Sequence, residues 1–166
     1  MNRRLILFRH AKSSWDDSSQ RDFDRPLNKR GLRDAPRMGQ FLLEQQINPG
    51  VIICSDANRA LSTARHVATE LSYPLDDIRM NHALYLSSAA TILDVLDSAA
   101  AKDSDVMLIA HNPGLTELAN RLSDARIDNL PTCSVFIATQ AAESWNELGA
   151  HAGRFEAFYS PKNDLS

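Results

Sequence analysis

The feature that most constrains the fold is a set of short apolar runs, each ending abruptly in polar or charged residues. Leu5 to Phe8 gives way to Arg9 and His10, Val51 to Cys54 to Ser55 and Asp56, and Val106 to Ala110 to His111. Runs this short, rich in Ile, Val and Leu, suit strands buried on both faces. Stretches with helical spacing lie between them. One runs from about Asn28 to Gln46, with Pro36 expected to kink or break it. The next is opened by Ser55 or Asp56 as N-cap and carries Leu61, Ala64, Val67, Ala68 and Leu71 on its apolar face. A third covers about 89–101, and a fourth follows Pro113 to about Leu122. Two later runs, Cys133 to Ala138 and Phe155 to Tyr159, are expected to pair antiparallel. Strands alternating with helices predict an α/β three-layer sandwich, a central and mainly parallel sheet with helices on both faces. No linker interrupts the 166 residues, so a single domain over residues 1–166 is expected.

Composition narrows the function. At 43% hydrophobic and 23% charged residues the chain is globular, and a net charge of -3 lacks the basic excess that a general nucleic-acid binder needs. The two cysteines, Cys54 and Cys133, form no CxxC pair, so neither a disulfide framework nor a zinc site is expected. The histidines lack HxH and HxxxH spacing, and no metal or other cofactor is expected. The N-terminal apolar run is too short for a signal peptide, and none approaches the roughly 18 residues of a membrane span. These features predict a cytoplasmic chain with no membrane partner. No heptad or long apolar stripe demands assembly, so a monomer is expected.

The chemistry collects at the ends of the apolar runs. In open α/β sheets, ligands bind outside the carboxyl ends of the strands. Three strand exits therefore predict one crevice holding Arg9, His10, Arg59 and His111. Two guanidiniums and two imidazoles beside a helix N-terminus make an anion site, and a phosphoryl group is the natural ligand. Each residue alone has a plainer reading: Arg59 as a surface helix cation, His111 as a hydrogen-bonded residue beside a turn.

The same residues carry a resemblance. Arg9-His10-Ala11-Lys12-Ser13 resembles the Arg-His-Gly-x-Ser signature of the histidine phosphatase superfamily, which includes the phosphoglycerate mutases. Ser55-Asp-Ala-Asn-Arg59-Ala-Leu-Ser-Thr63-Ala64 resembles that family's Ser-Pro-x-x-Arg-Ala-x-Gln-Thr-Ala segment. His111-Asn-Pro-Gly114 resembles its second-histidine turn, and Arg25-Pro-Leu-Asn-Lys-Arg-Gly31 the turn that opens its first helix. The matches keep the family's order from residue 3 to about residue 120. The length and these details look most like the small SixA-type phosphohistidine phosphatases. Ala11 stands where the family has Gly and Asp56 where it has Pro, and neither change removes a catalytic atom.

The resemblance implies His10 as nucleophile, forming a phosphohistidine enzyme that water hydrolyses. It implies Arg9, Arg59 and His111 as ligands of the phosphoryl oxygens, with no metal required. Adjacent Arg9 is expected to disfavour protonation of His10. In the mutase branch a Glu between the arginine helix and the second histidine protonates the leaving group. The corresponding stretch here, residues 78–93, contains no Asp or Glu. An enzyme without a strong general acid works best on a good leaving group, and phosphohistidine is one. The expected activity is phosphohistidine phosphatase on a phosphorylated protein. The alternatives are a small-molecule phosphomonoester phosphatase and a non-catalytic phosphate-binding module. Asp16, Asp17 and Tyr85 remain other proton donors.

Lesser features complete the reading. The polar stretch Asp16 to Arg25 suits either a lid or docking loop or a plain solvated loop, with Trp15 flanking the pocket mouth or packing. Lys29, Arg33 and Arg37 recur every four residues and mark either a solvated helix face or a dock for an acidic partner. His66 and His82 are expected to be structural, His151 exposed and Cys54 a buried strand cysteine.

Overall fold

A computed structural model describes residues 1–151 and 153–165. Six strands form one sheet: β1 (Asn2–Arg9), β2 (Val51–Cys54), β3 (Arg79–Met80), β4 (Asp105–Ala110), β5 (Val135–Ala141) and β6 (Arg154–Tyr159). Five helices accompany them: α1 (Lys29–Glu44), α2 (Asn58–Glu70), α3 (Ala89–Ala99), α4 (Gly114–Leu122) and the short α5 (Pro161–Asp164). The strand order is β3-β2-β4-β1-β5-β6. The first four strands of that order are parallel, and β5 and β6 join antiparallel.

Alternation along the strands builds two cores. Leu5, Leu7, Ile53, Leu108 and Phe136 face Ile92, Leu96, Leu115 and Leu118 of α3 and α4. Ile6, Phe8, Ile52, Met107 and Ile109 face Ala35, Met38, Leu42, Ala64 and Val67 of α1 and α2. The central strands are covered on both sides, which is why they read as unbroken apolar runs. No helix among the described residues is long and apolar enough to cross a membrane.

Three local expectations need correction, and one strand was not foreseen. Helix α1 runs through Pro36 without a break. The carbonyl deprived of its donor belongs to Leu32, a residue on the exposed face of the helix. The α2 N-cap is Ala57, which offers no side-chain bond, rather than Ser55 or Asp56. The run at Cys133 is not yet strand: Cys133 has φ 62, and its N–H donates to the carbonyls of Arg9 (3.1 Å) and His10 (3.0 Å). A residue in the left-handed region is thereby held against the end of β1. The two-residue strand β3, with both side chains exposed, has no counterpart among the apolar runs.

Candidate active site

Strands β1 and β4 are neighbours in parallel register, with Arg9 opposite Ala110. The next residue of each chain segment is a histidine. The chain leaves β1 toward α1 and β4 toward α4, on opposite faces of the sheet. The crevice opens where those exits diverge, the usual ligand position in such sheets. The His10 and His111 ring centroids lie 5.2 Å apart. Arg59, on the first turn of α2, reaches the same place from the exit of β2. All four line one hollow of about 270 Å³, with Lys12, Ser13, Trp15, Arg25, Leu86, Asn112 and Thr132 completing its wall. Arg59 stands in the first turn of α2 and Asn112 directly precedes the α4 N-cap Pro113, so two helix N-termini adjoin residues of that wall.

Two glycines allow this convergence. A methyl group on Gly31 would sit 2.2 Å from the Lys12 carbonyl oxygen, so α1 packs onto the segment after His10 only with glycine there. Gly114 approaches the Ser87 carbonyl oxygen in the same way, at 2.1 Å to a notional Cβ. Ala11 carries the methyl group absent from the family signature, and it packs in the core under α1 and α2. Its N–H donates to Thr63 Oγ1 (3.0 Å), whose hydroxyl donates to the Arg59 carbonyl (2.7 Å). This pair of bonds ties the His10 segment to the helix that carries Arg59.

Hydrogen bonding orients both imidazoles. His10 Nδ1 lies 2.7 Å from the Ala11 carbonyl oxygen, which can only accept. The neutral ring therefore carries its proton on Nδ1 and leaves the Nε2 lone pair free. His111 Nε2 lies 2.8 Å from Ser55 Oγ. That oxygen accepts the Ala57 N–H (3.2 Å), and among the described residues its own proton has no other acceptor in range, so the hydroxyl donates to His111 Nε2. The His111 proton then resides on Nδ1, as a donor. Ser55 thus serves the histidine rather than capping α2.

Burial pushes the pKa of both rings from 6.5 down to about 3. For His10 the nearby charges of His111, Arg59 and Arg9 lower it further, and Arg9 ranks last among the causes. For His111 the next cause is Arg59. Burial, and then Arg59, also lowers Arg9. Both rings are neutral at pH 7. The unfolded chain takes up these two protons near pH 6.5, whereas the folded chain resists them to about pH 3. Stability should therefore fall as pH drops through that window, with uptake of about two protons on unfolding. Urea midpoints between pH 7 and 4 measure this, and His10→Gln should remove about one of the two protons.

Three buried nitrogens at this site have no partner: Arg9 Nε, Arg59 Nε and His111 Nδ1. The fourth such atom among the described residues, Gln140 Oε1, belongs to no wall of the hollow. Unpaired buried donors are costly, and three around one cavity call for an acceptor-rich anion.

The sequence reading missed Asp22. The segment after His10 is exposed from Asp16 to Arg21, then folds back. Arg59 donates to the Asp22 carbonyl oxygen (2.7 Å) and to its Oδ2 (2.9 Å). Tyr85 also donates to Oδ2, and Arg25 to Oδ1. Although burial opposes it, these donors and the Arg59 charge hold the Asp22 carboxyl down at about 2. The Arg25 guanidinium also lies 3.5 Å from the ring of Trp15, which is 70% exposed at the mouth of the hollow. Neither Asp16 nor Asp17 lines the wall.

The remaining features lie elsewhere. His82 is exposed and meets Asp56 at 3.0 Å. His66 is half-buried on α2, and His151 is exposed. Cys54 and Cys133 are free and buried, and burial raises both thiols, that of Cys54 to about 12.

A family model for the histidine phosphatase superfamily (branch 1) matches residues 5–80. An uncharacterized protein of Arabidopsis thaliana is 32% identical over 99% of this chain and 81% of its own length. A 2,3-bisphosphoglycerate-dependent phosphoglycerate mutase of Corynebacterium glutamicum is 35% identical over 61% of this chain and 42% of the mutase. Among solved structures, SixA of Agrobacterium tumefaciens, a candidate phosphohistidine phosphatase, superposes with a TM-score of 0.81. It is 25% identical, covering 96% of this chain and 98% of its own. A protein histidine phosphatase SixA complexed with tungstate shares the fold at 22% identity and a TM-score of 0.80, over 98% of this chain and 99% of its own.

Proposed function

The chain belongs to the histidine phosphatase superfamily, and from that premise we propose that it is a phosphohistidine phosphatase acting on a phosphorylated protein. His10 Nε2 attacks phosphorus, and the P–N bond to the substrate imidazole breaks. The substrate ring, protonated from solvent on its other nitrogen, departs as a neutral imidazole. Water then attacks the phosphorylated His10 and releases phosphate. Arg9, Arg59 and His111 Nδ1 donate to the phosphoryl oxygens and stabilise the charge spread over them in the transition state. These side chains take the part a cation plays in other phosphoryl-transfer sites, so turnover should persist in EDTA.

The observation that carries the substrate class is the state of Asp22. It is the carboxyl bound to Arg59, and its proton is held off to about pH 2 by Tyr85, Arg59 and Arg25. A carboxylate so engaged is a poor general acid at neutral pH. Tyr85 is raised above its ordinary value by burial and Asp22, and its proton is already committed to Asp22. An alkoxide leaving group would therefore go unprotonated, whereas an imidazole leaves readily. The name of the Agrobacterium relative favours the same reading. The test compares kcat/KM on a phosphohistidine peptide and on glycerol phosphate, both with EDTA present. We expect a preference of about 100-fold or more for the peptide, the order that loss of general-acid assistance produces. A preference for the alkyl ester would replace this reading with the phosphomonoesterase. Lack of turnover on either substrate would leave a phosphate-binding module.

A further inference from the structure

We propose that the cleft between α1 and the segment around α5 docks an acidic stretch of the protein substrate, which enters it directly from the phosphoryl hollow over Thr132. The proposal rests on the reading that the substrate is a protein. The cleft has a volume of about 500 Å³, nearly twice that of the hollow. Arg30, Arg33 and Arg37 of α1 line one side and Lys162 the other. Spacings of three and four residues put the three arginines on one helix face. Lys29, which the sequence pattern placed in this stripe, lies outside the cleft, and Arg30 takes its place.

Among the described residues that line the cleft, one carboxylate, the buried Asp34, faces these four cations. Asp34 meets Arg33 at 3.1 Å and Arg30 at 3.9 Å, and Arg37 donates to the Leu165 carbonyl oxygen, so among the described residues Arg37 and Lys162 form no ion pair. Such a concentration of positive charge, on a chain whose net charge is -3, makes a local field for an anionic partner. The floor includes Phe158 and Pro161, so aliphatic side chains between the carboxylates also find apolar surface.

Continuity with the hollow identifies the partner. Thr132 lines both cavities, and Arg30 donates to its Oγ1 at 3.1 Å. A polypeptide with its phosphorylated side chain at His10 can therefore run across Thr132 into the cleft. A nucleic acid would need a longer track of cations and open stacking platforms. Four cations around one bounded cleft match a few carboxylates instead.

The test uses the full chain, the double variant Arg33→Gln/Arg37→Gln and the separate variant Lys162→Glu. Lys162 is exposed on the opposite wall, so its replacement does not depend on the Asp34 pairs. A labelled, unphosphorylated Glu-rich peptide should bind the wild type more tightly than its Gln counterpart. Each variant, and a rise to about 0.3 M salt, should weaken that binding by about tenfold. On phosphohistidine peptides the Glu flank should lower KM for the wild type and not for the variants, while turnover of phosphoramidate stays unchanged in all three. Equal binding of the Glu and Gln peptides would overturn the proposal. So would variants that bind the Glu peptide like wild type, or an oligonucleotide that binds the cleft more tightly than the peptide. If no phosphohistidine is hydrolysed while the Glu peptide still binds in a cleft-dependent way, the phosphatase reading falls and the docking site stands.

Discussion

Replacing His10 by alanine is expected to lower turnover by about 10⁴-fold or more, with substrate binding much less affected. The reason is the tautomer. The Ala11 carbonyl fixes the ring proton on Nδ1, and burial keeps Nε2 unprotonated far below neutral pH, so the attacking lone pair is always present. No other nucleophile faces the hollow in the same way. His111 has its Nε2 occupied by Ser55, and its Nδ1 is assigned a proton. Rapid quenching of the wild type with labelled substrate should yield a phosphoenzyme that survives alkali and is lost in acid, as expected of a phosphoramidate. His10→Ala should yield none. His10→Gln keeps the volume of the ring and controls for collapse of the buried site. Should either variant retain more than about a tenth of wild-type turnover with its fold intact, His10 is not the nucleophile, because losses that small are ordinary for positioning residues.

The sequence showed the frame and the four residues at the strand exits more readily than their surroundings, and the reason is local. Strands covered on both faces must be apolar throughout, so β1, β2 and β4 announce themselves, and so do the polar residues at their ends. Parallel neighbours with matched ends then place His10 beside His111. Strand β3 has two exposed residues and no pattern to read. Pro36 reads as a breaker because sequence does not show that the carbonyl it deprives belongs to a residue on the exposed face. Ser55 reads as a cap because its spacing fits one, and only the fold reveals the closer demand of His111. Asp22 lies three residues before Arg25, and that ion pair is within reach of a sequence argument. Its bond to Arg59 spans 37 residues and depends on where the loop folds back, which no spacing encodes.

That bond makes the second large effect testable. Arg59→Ala should cost about 10³-fold in kcat/KM, the order associated with losing a cation that stabilises phosphoryl charge in the transition state. Part of the loss should come from Asp22 rather than from the missing guanidinium. With Arg59 gone, the carboxylate keeps its charge near the hollow and its bonds from Tyr85 and Arg25 but loses the neutralising guanidinium, so it repels the incoming phosphoryl group. Asp22→Asn alone removes an anchor from Arg59 and should cost about tenfold, as loosening of one oriented donor does. The combined variant should then be several-fold more active than Arg59→Ala, because the repelling charge is gone. Costs that simply multiply would mean that Asp22 acts independently of Arg59. A far larger loss in Asp22→Asn than in Arg59→Ala, confined to alkyl phosphate substrates, would mean that the carboxyl delivers the proton after all. The sign of the coupling thus separates a residue that holds an arginine in place from one that takes part in the chemistry, and only the former agrees with a carboxyl kept ionised down to about pH 2.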